Sequence, residues 1–242
     1  MYPDQVLAAL AEVYATCATY QDAGAVVTRF IKPGHDSYGT TKPFATAFVR
    51  PDRFRFEHRH RHLDNGPWDR YLVWADGADV RTWWGTTPGV EWPESLDLAL
   101  AGATGVSGGA AQTVPGLLLP DRDAGRRLTE LAELRLLGDE SLGGVACYRL
   151  AGRFPTDPPD PEEEAREREE FIRLTGRPPQ RAEHSPLTLW VDRGTFLLRR
   201  IDESVRFETF RTETVTTYEP QVGVRIPEED LRFDPPTVGT ST

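Results

Sequence analysis

His58, His60 and His62 alternate along the stretch Phe56-Glu57-His58-Arg59-His60-Arg61-His62, and a spacing of two places three imidazoles on one face of a β-strand. Such a face could hold a zinc ion and support carbonic-anhydrase-like chemistry. Against it, Arg55, Arg59 and Arg61 crowd the opposite face and the run leads into the turn Asp64-Asn65-Gly66. Hairpin tips are commonly solvated, so these residues read better as a solvated strand end without metal. Gly102 to Gly109 has the glycine density of a nucleotide loop, but lacks the preceding buried strand and following helix that a dinucleotide site needs. A nucleophile elbow, a Gly-rich loop ending in Lys-Ser/Thr and a His-Glu-x-x-His helix are all missing from the sequence. No catalytic residue, metal ligand or cofactor is therefore assigned, and a non-enzymatic binding protein is expected.

Two other residue types carry chemistry. Cys17 and Cys147 lie too far apart in sequence for a CxxC motif, leaving one long-range disulfide or two buried thiols. With Cys17 on the apolar side of an N-terminal helix and Cys147 on a central strand, the two are expected to approach each other. Arg50 shares strand parity with Phe44, Thr46 and Phe48, and an arginine on an apolar face requires acceptors for its donors. The alternative is an exposed arginine ahead of the Pro51-Asp52 turn.

The elements that position these residues follow from hydrophobic period. Val6, Leu7, Leu10, Val13, Tyr14 and Cys17 stripe one face of a helix over residues 3–18. From Ala25 the period becomes two, predicting strands at 25–31, 44–50, 53–62, 70–75 and 80–84 joined as an antiparallel meander. Leu96, Leu98, Ala99 and Leu100 mark a short helix over 94–100, followed by a flexible glycine stretch at 102–109 and the apolar segment Val114 to Pro120, together a mobile flap. Strands resume at 133–137, 145–154, 187–191, 196–207 and 212–218. Pro-rich flanks enclose Glu162 to Leu174, whose Glu/Arg alternation predicts an exposed helix within a charged insertion, 155–185, that could also dock a protein partner.

Composition narrows the field. The chain of 242 residues carries a formal charge of -10 and no Lys/Arg block free of acids, which excludes the electrostatic footprint of a nucleic-acid binder. No apolar run approaches the ~20 residues of a membrane span. Met1-Tyr2-Pro3-Asp4 leads straight into the first helix without a signal-peptide pattern, so a periplasmic or extracytoplasmic location is expected only if a leader was removed.

Phe48-Val49-Arg50-Pro51-Asp52-Arg53-Phe54-Arg55-Phe56 resembles the strand pair of LolA-like outer-membrane lipoprotein carriers, in which an Arg-Pro step precedes aromatic residues. Trp74-Ala75-Asp76-Gly77-Ala78-Asp79-Val80 is similar to the next hairpin of that family, Leu187 to Arg200 to its late strand-turn-strand, and Phe233-Asp234-Pro235-Pro236 to its ending. These pieces occur in family order and span nearly the whole chain, although the 155–185 insertion lies outside the short carrier pattern.

The resemblance implies one α+β domain over residues 1–236 with a flexible tail at 237–242. It implies a half-open, curved antiparallel β-barrel with an N-terminal helix and a helical lid over an apolar cavity for acyl chains. Phe44, Phe48, Phe54 and Phe56 would form the aromatic wall, Leu96 and Leu100 the underside of the lid, and Arg50 a latch on the lid backbone. A cavity wall and an ordinary core are written in the same residues, and it is the resemblance that favours the cavity. Fold alone does not assign function. The favoured reading is the carrying of a lipid or lipoprotein acyl chain. The alternatives are an envelope-sensing or interaction module using the same fold, and a zinc enzyme built on the histidine strand.

Overall fold

The computed structural model describes residues 1–61, 66–122, 126–155, 161–180 and 182–235; His62, Pro236 and the expected tail at 237–242 lie outside the described residues. Helix α1 (Pro3–Thr16) opens on a proline whose fixed φ suits the first helical position, and buries Val6, Leu7, Leu10 and Tyr14 along the expected stripe. Six strands follow as a meander: β1 (Thr19–Ile31), β2 (Tyr38–Val49), β3 (Arg53–His60), β4 (Asp69–Asp76), β5 (Asp79–Trp84) and β6 (Thr87–Glu91). The sequence reading ended this meander one strand early, because Pro88 and Gly89 obscure the alternation of β6.

Helices α2 (Leu96–Ser107) and α3 (Ala110–Leu118) come next. Ser95 caps α2 by accepting from the Leu98 amide at 3.2 Å, and Gly108 and Gly109, with φ of 69° and 90°, make the corner between the helices. The stretch 102–109, expected to be flexible, is therefore helical as far as Ser107: Gly102 and Gly105 are tolerated inside a helix that packs Leu96, Ala99, Leu100 and Ala103 inward. The second strand block comprises β7 (Ala132–Leu142), β8 (Val145–Arg153), β10 (Leu187–Asp192), β11 (Leu198–Arg206) and β12 (Arg211–Tyr218), with two-residue strands β9 (Glu183–His184) and β13 (Gln221–Val222). Between β8 and β9, helix α4 (Pro161–Thr175) lies where the charged insertion was expected.

All strands join one antiparallel sheet in the order β6-β5-β4-β3-β2-β1-β12-β11-β10-β8-β7, with β13 on β1 and β9 on β11. The β1–β12 ladder, from Gly24 opposite Tyr218 to Ile31 opposite Arg211, fuses the two meanders. The end strands β6 and β7 do not pair with each other, so the curved sheet stays open. Helices α1, α2 and α3 fill its concave side, and the core is one continuous cluster running from Val6 and Leu10 through Phe48 and Phe56 to Leu189 and Leu198.

The C-terminal segment crosses the opposite face of β3 and β4 and is hydrogen-bonded to both. Trp74 Nε1 donates to the Leu231 carbonyl at 2.6 Å, Arg55 Nε to that of Arg232 at 3.1 Å, and Arg70 to both the carbonyl and carboxylate of Asp234 at 2.7 Å. Beneath this strap Glu57 is buried and ion-paired with Arg55 at 2.6 Å, Arg70 at 2.8 Å and Arg59 at 2.9 Å. Burial by itself would raise the Glu57 pKa, but hydrogen bonds from Arg70 and Arg59 outweigh it and hold the carboxyl below its ordinary value.

Candidate functional site

Strand register lays the aromatic residues of the concave face in rows. Phe48 lies opposite Tyr20 on one side and Phe54 on the other, and the row continues through Ala75 to Val80. Two rows toward the rim, past Thr46 and Phe56, Phe44 lies opposite His58, followed by Tyr71 and Trp84. Phe44 and Phe56 stack at 6.1 Å, and Tyr218 meets Phe44 edge-on at 5.5 Å. Gly24 makes room for this arrangement: a Cβ there would stand 2.4 Å from the Phe44 ring and 2.3 Å from the Thr217 carbonyl.

Helices α2 and α3 lie across these rows as a lid and turn Leu96, Leu100, Ala103, Ala111, Val114, Leu117 and Leu118 toward the sheet. Phe44, Phe48, Phe54, Phe56, Leu96 and Leu100 are buried members of one core cluster, and side chains fill the gap expected between wall and lid. Their exposures are 0–5%, and the cleft that reaches Phe44 lies on the other face of the sheet, with Pro43, Ala45, Glu57 and Arg59. The buried alanines Ala99, Ala103, Ala110 and Ala111 keep the inner face of the lid thin, and at the corner Gly108 comes so near the sheet that a Cβ there would stand 3.0 Å from the Val26 side chain. Open space lies at the lid's rims instead. A cleft of about 170 Å³ separates Gly108, Gly109, Gln112 and Thr113 from Ile201, Thr214 and Thr216. A second, of about 150 Å³, is lined by Lys42, His58, His60, Tyr71 and Val106.

Two cations of the sheet hold the lid by its backbone. Arg50, just past the end of β2, donates from Nη2 to the Leu118 carbonyl at 3.1 Å and the Tyr14 carbonyl at 3.2 Å, and from Nε to the Cys17 carbonyl at 3.0 Å, with its guanidinium 5.1 Å from the Phe48 ring centre. It thus joins the C-terminal ends of both α1 and α3, where unpaired helix carbonyls favour a cation. The role of α1 was not foreseen. Nor was the second cation, Lys42, whose Nζ donates to the Val106 carbonyl at 2.7 Å. Its parity with Phe44 and Phe48 was the signal available in sequence.

Polar groups also enter the apolar layer. Asp22 accepts from the Tyr20 hydroxyl at 2.9 Å and the Thr46 amide at 3.0 Å, and burial pushes its pKa up to about 6. Tyr14 accepts from the Leu198 amide at 3.1 Å, binding α1 to β11. His58, expected to be solvated, is 1% exposed because β3 turns it inward beside Phe56 and stacks it on Tyr71 at 4.6 Å. Burial first, then repulsion from Lys42 and His60, pushes its pKa down to about 3, so the ring is neutral at pH 7. Among the described residues neither ring nitrogen has a hydrogen-bond partner. Among the described residues no group of three or more His, Cys, Asp or Glu side chains is placed to hold a metal ion.

The cysteines do not form the bridge considered from sequence. Both are free thiols: Cys17 Sγ donates to the Tyr14 carbonyl at 3.3 Å and Cys147 Sγ to that of Val145 at 3.5 Å. Cys147 lies on β8, next to the edge strand β7, rather than on a central strand.

No protein-family model matches the chain, and no curated protein matches it. Solved structures resemble it over most of its length. LprF from Mycobacterium bovis is 14% identical with a TM-score of 0.45, covering 94% of this chain and 97% of LprF. The lipoprotein LppX from Mycobacterium tuberculosis is 13% identical with a TM-score of 0.41, covering 92% and 97%. A LolA superfamily protein from Nitrosomonas europaea is 12% identical with a TM-score of 0.32, covering 96% and 98%. The architecture found here is an open, curved antiparallel sheet with a leading helix and a helical lid. Among the described residues no helix is long and apolar enough to cross a membrane.

Proposed function

We propose that the protein binds the acyl chain of a lipid or lipoprotein between the aromatic face and the α2–α3 lid, as a non-enzymatic carrier in the cell envelope. The observation that carries this reading is the lid itself: an apolar helix pair that covers Phe44, Phe48, Phe54 and Phe56 and whose polar ties to β2 and the residue after it are Lys42–Val106 and Arg50–Leu118. Sliding the lid off those two contacts would uncover a continuous aromatic groove, and an acyl chain laid in it would take over the contacts the lid makes in the closed state. Each methylene buried would contribute about 0.8 kcal/mol, so affinity should climb with chain length while specificity stays loose. Phe44, Phe48, Phe54, Phe56, Leu96 and Leu100 would line the groove, and Arg50 would set how readily it opens.

Titration of a fluorescent fatty-acid probe tests this. Saturable binding that strengthens with chain length in wild type, and is lost in a Phe48→Glu variant that keeps its β-sheet circular dichroism, supports the groove. Non-saturable binding, or equal binding by Arg50→Leu, Phe48→Glu and wild type, overturns it. A second reading, a protein-interaction module, draws on the exposed apolar residues Phe171, Ile172 and Leu174 of α4. Pull-down that depends on these three residues but not on Phe48 would favour it.

A further inference from the structure

The rim cleft between β2, β3, β4 and the end of α2 has a chemistry different from the groove beside it. It is lined by Lys42, His58, His60, Tyr71 and Val106, with a volume of about 150 Å³. At ~30 Å³ per water molecule this is space for one small polar group and a few waters. The Lys42 ammonium carries three N–H donors, one of which goes to the Val106 carbonyl, and among the described residues it makes no ion pair with a carboxylate. His58 adds an imidazole that is 1% exposed and, among the described residues, has no partner at either nitrogen, an arrangement that costs stability unless something accepts from it. The carboxylate nearest in sequence, Glu57, alternates to the opposite face and is paired with Arg55, Arg59 and Arg70. Asp69 lies opposite His60 in the β3–β4 register, so the positive part of the cleft is its Lys42–His58 end.

We propose that Lys42 and His58 form a site for the oxyanion headgroup, carboxylate or phosphate, of an amphiphile whose acyl chain lies in the groove. This rests on the acyl-chain reading above. The placement supports it: His58 lies directly opposite Phe44 in the β2–β3 register, and its ring is 6.0 Å from that of Phe56, so a chain along the aromatic wall ends at the imidazole. Two free ammonium N–H groups and the N–H of the neutral imidazole would converge on one oxyanion. Because Lys42 also holds the Val106 carbonyl, a bound headgroup would compete for the same ammonium and so favour release of the α2 end of the lid.

The test compares dodecanoate, dodecanol and inorganic phosphate, reading affinity together with the His58 ring resonances by NMR, assigned with a His58→Phe variant. Dodecanoate is expected to bind wild type at least ~10-fold more tightly than dodecanol, the effect of one charge-assisted contact, and to shift the His58 resonances. That ratio should fall to about one in Lys42→Met, diminish in His58→Phe and persist in Lys42→Arg. Because the ratio is taken within each variant, a change in lid opening cancels. Equal affinities for dodecanoate and dodecanol in wild type, or a ratio that survives both Lys42→Met and His58→Phe, would overturn the headgroup site while leaving the groove standing. A Lys42-dependent shift of His58 by inorganic phosphate, with no binding of dodecanol, would keep the oxyanion site, assign it to a free anion and remove the groove reading. Absence of any His58 shift with all three probes would overturn the site.

Discussion

The guanidinium of Arg50 donates to the carbonyl of Leu118, 68 residues further along the chain, and the same side chain reaches the carbonyls of Tyr14 and Cys17. One cation therefore ties the last turn of the lid to the last turn of the N-terminal helix. Arg50→Leu removes charge-assisted hydrogen bonds of about 1.5–3 kcal/mol each, so amide exchange over 110–118 should accelerate roughly 10- to 100-fold. Protection in β1 and β12 should change much less. Unaltered exchange in α3 would show that packing alone keeps the lid closed.

Phe48 is fully buried between Tyr20 and Phe54, whereas Phe171 on α4 is exposed. Phe48→Ala should cost roughly 3–5 kcal/mol in urea denaturation, and Phe171→Ala within about 0.5 kcal/mol. Equal losses would place α4 in the cooperative core.

Asp22 and Glu57 give stability opposite dependences on pH. The Asp22 pKa is raised to about 6 in the folded state, so between its unfolded value and 6 the native protein binds the extra proton and stability falls as pH rises. At ~1.4 kcal/mol per pKa unit that fall is on the order of 3 kcal/mol, and Asp22→Asn should abolish it. For Glu57 the folded pKa is lowered, so its contribution is present above the unfolded value and lost as pH falls through the folded one. Glu57→Gln should cost roughly 1–3 kcal/mol at pH 7 and flatten the acid limb of the curve. Urea midpoints of both variants from about pH 3 to 8 check the signs; Asp22→Asn with an unchanged slope would contradict the burial of that carboxyl.

Cys17 is half-buried and Cys147 fully buried, and burial raises both thiol pKa values. Two thiols should therefore be counted after unfolding without reductant. In the native protein Cys17 should be alkylated before Cys147, with both slower than a free thiol. A single-step loss of both thiols on mild oxidation would mean that the native structure brings them within bridging distance.

Much of the architecture is local and could be read from residues. Helix α1, the alternation of β1 from Ala25, of β2 from Phe44 and of β3 to β5, and the common face of Phe44 and Phe48 follow from periods of 3.6 and 2, which depend only on neighbouring residues, whereas residues 19–24 and 38–43, outside the expected strands, also belong to β1 and β2. Where alternation was interrupted, as by Pro88 and Gly89 in β6 or the glycines of α2, local preference misled, because packing against the sheet outweighed it. Tertiary structure decided the rest. Whether the aromatic face is a closed core or an open groove depends on how deeply α2 and α3 settle, and alternation reads the same in either case. The inward turn of His58 onto Tyr71, the reach of Lys42 to Val106 across 64 residues, and the hold of Asp234 on Arg70 across 164 are contacts of the folded chain, which no local period encodes.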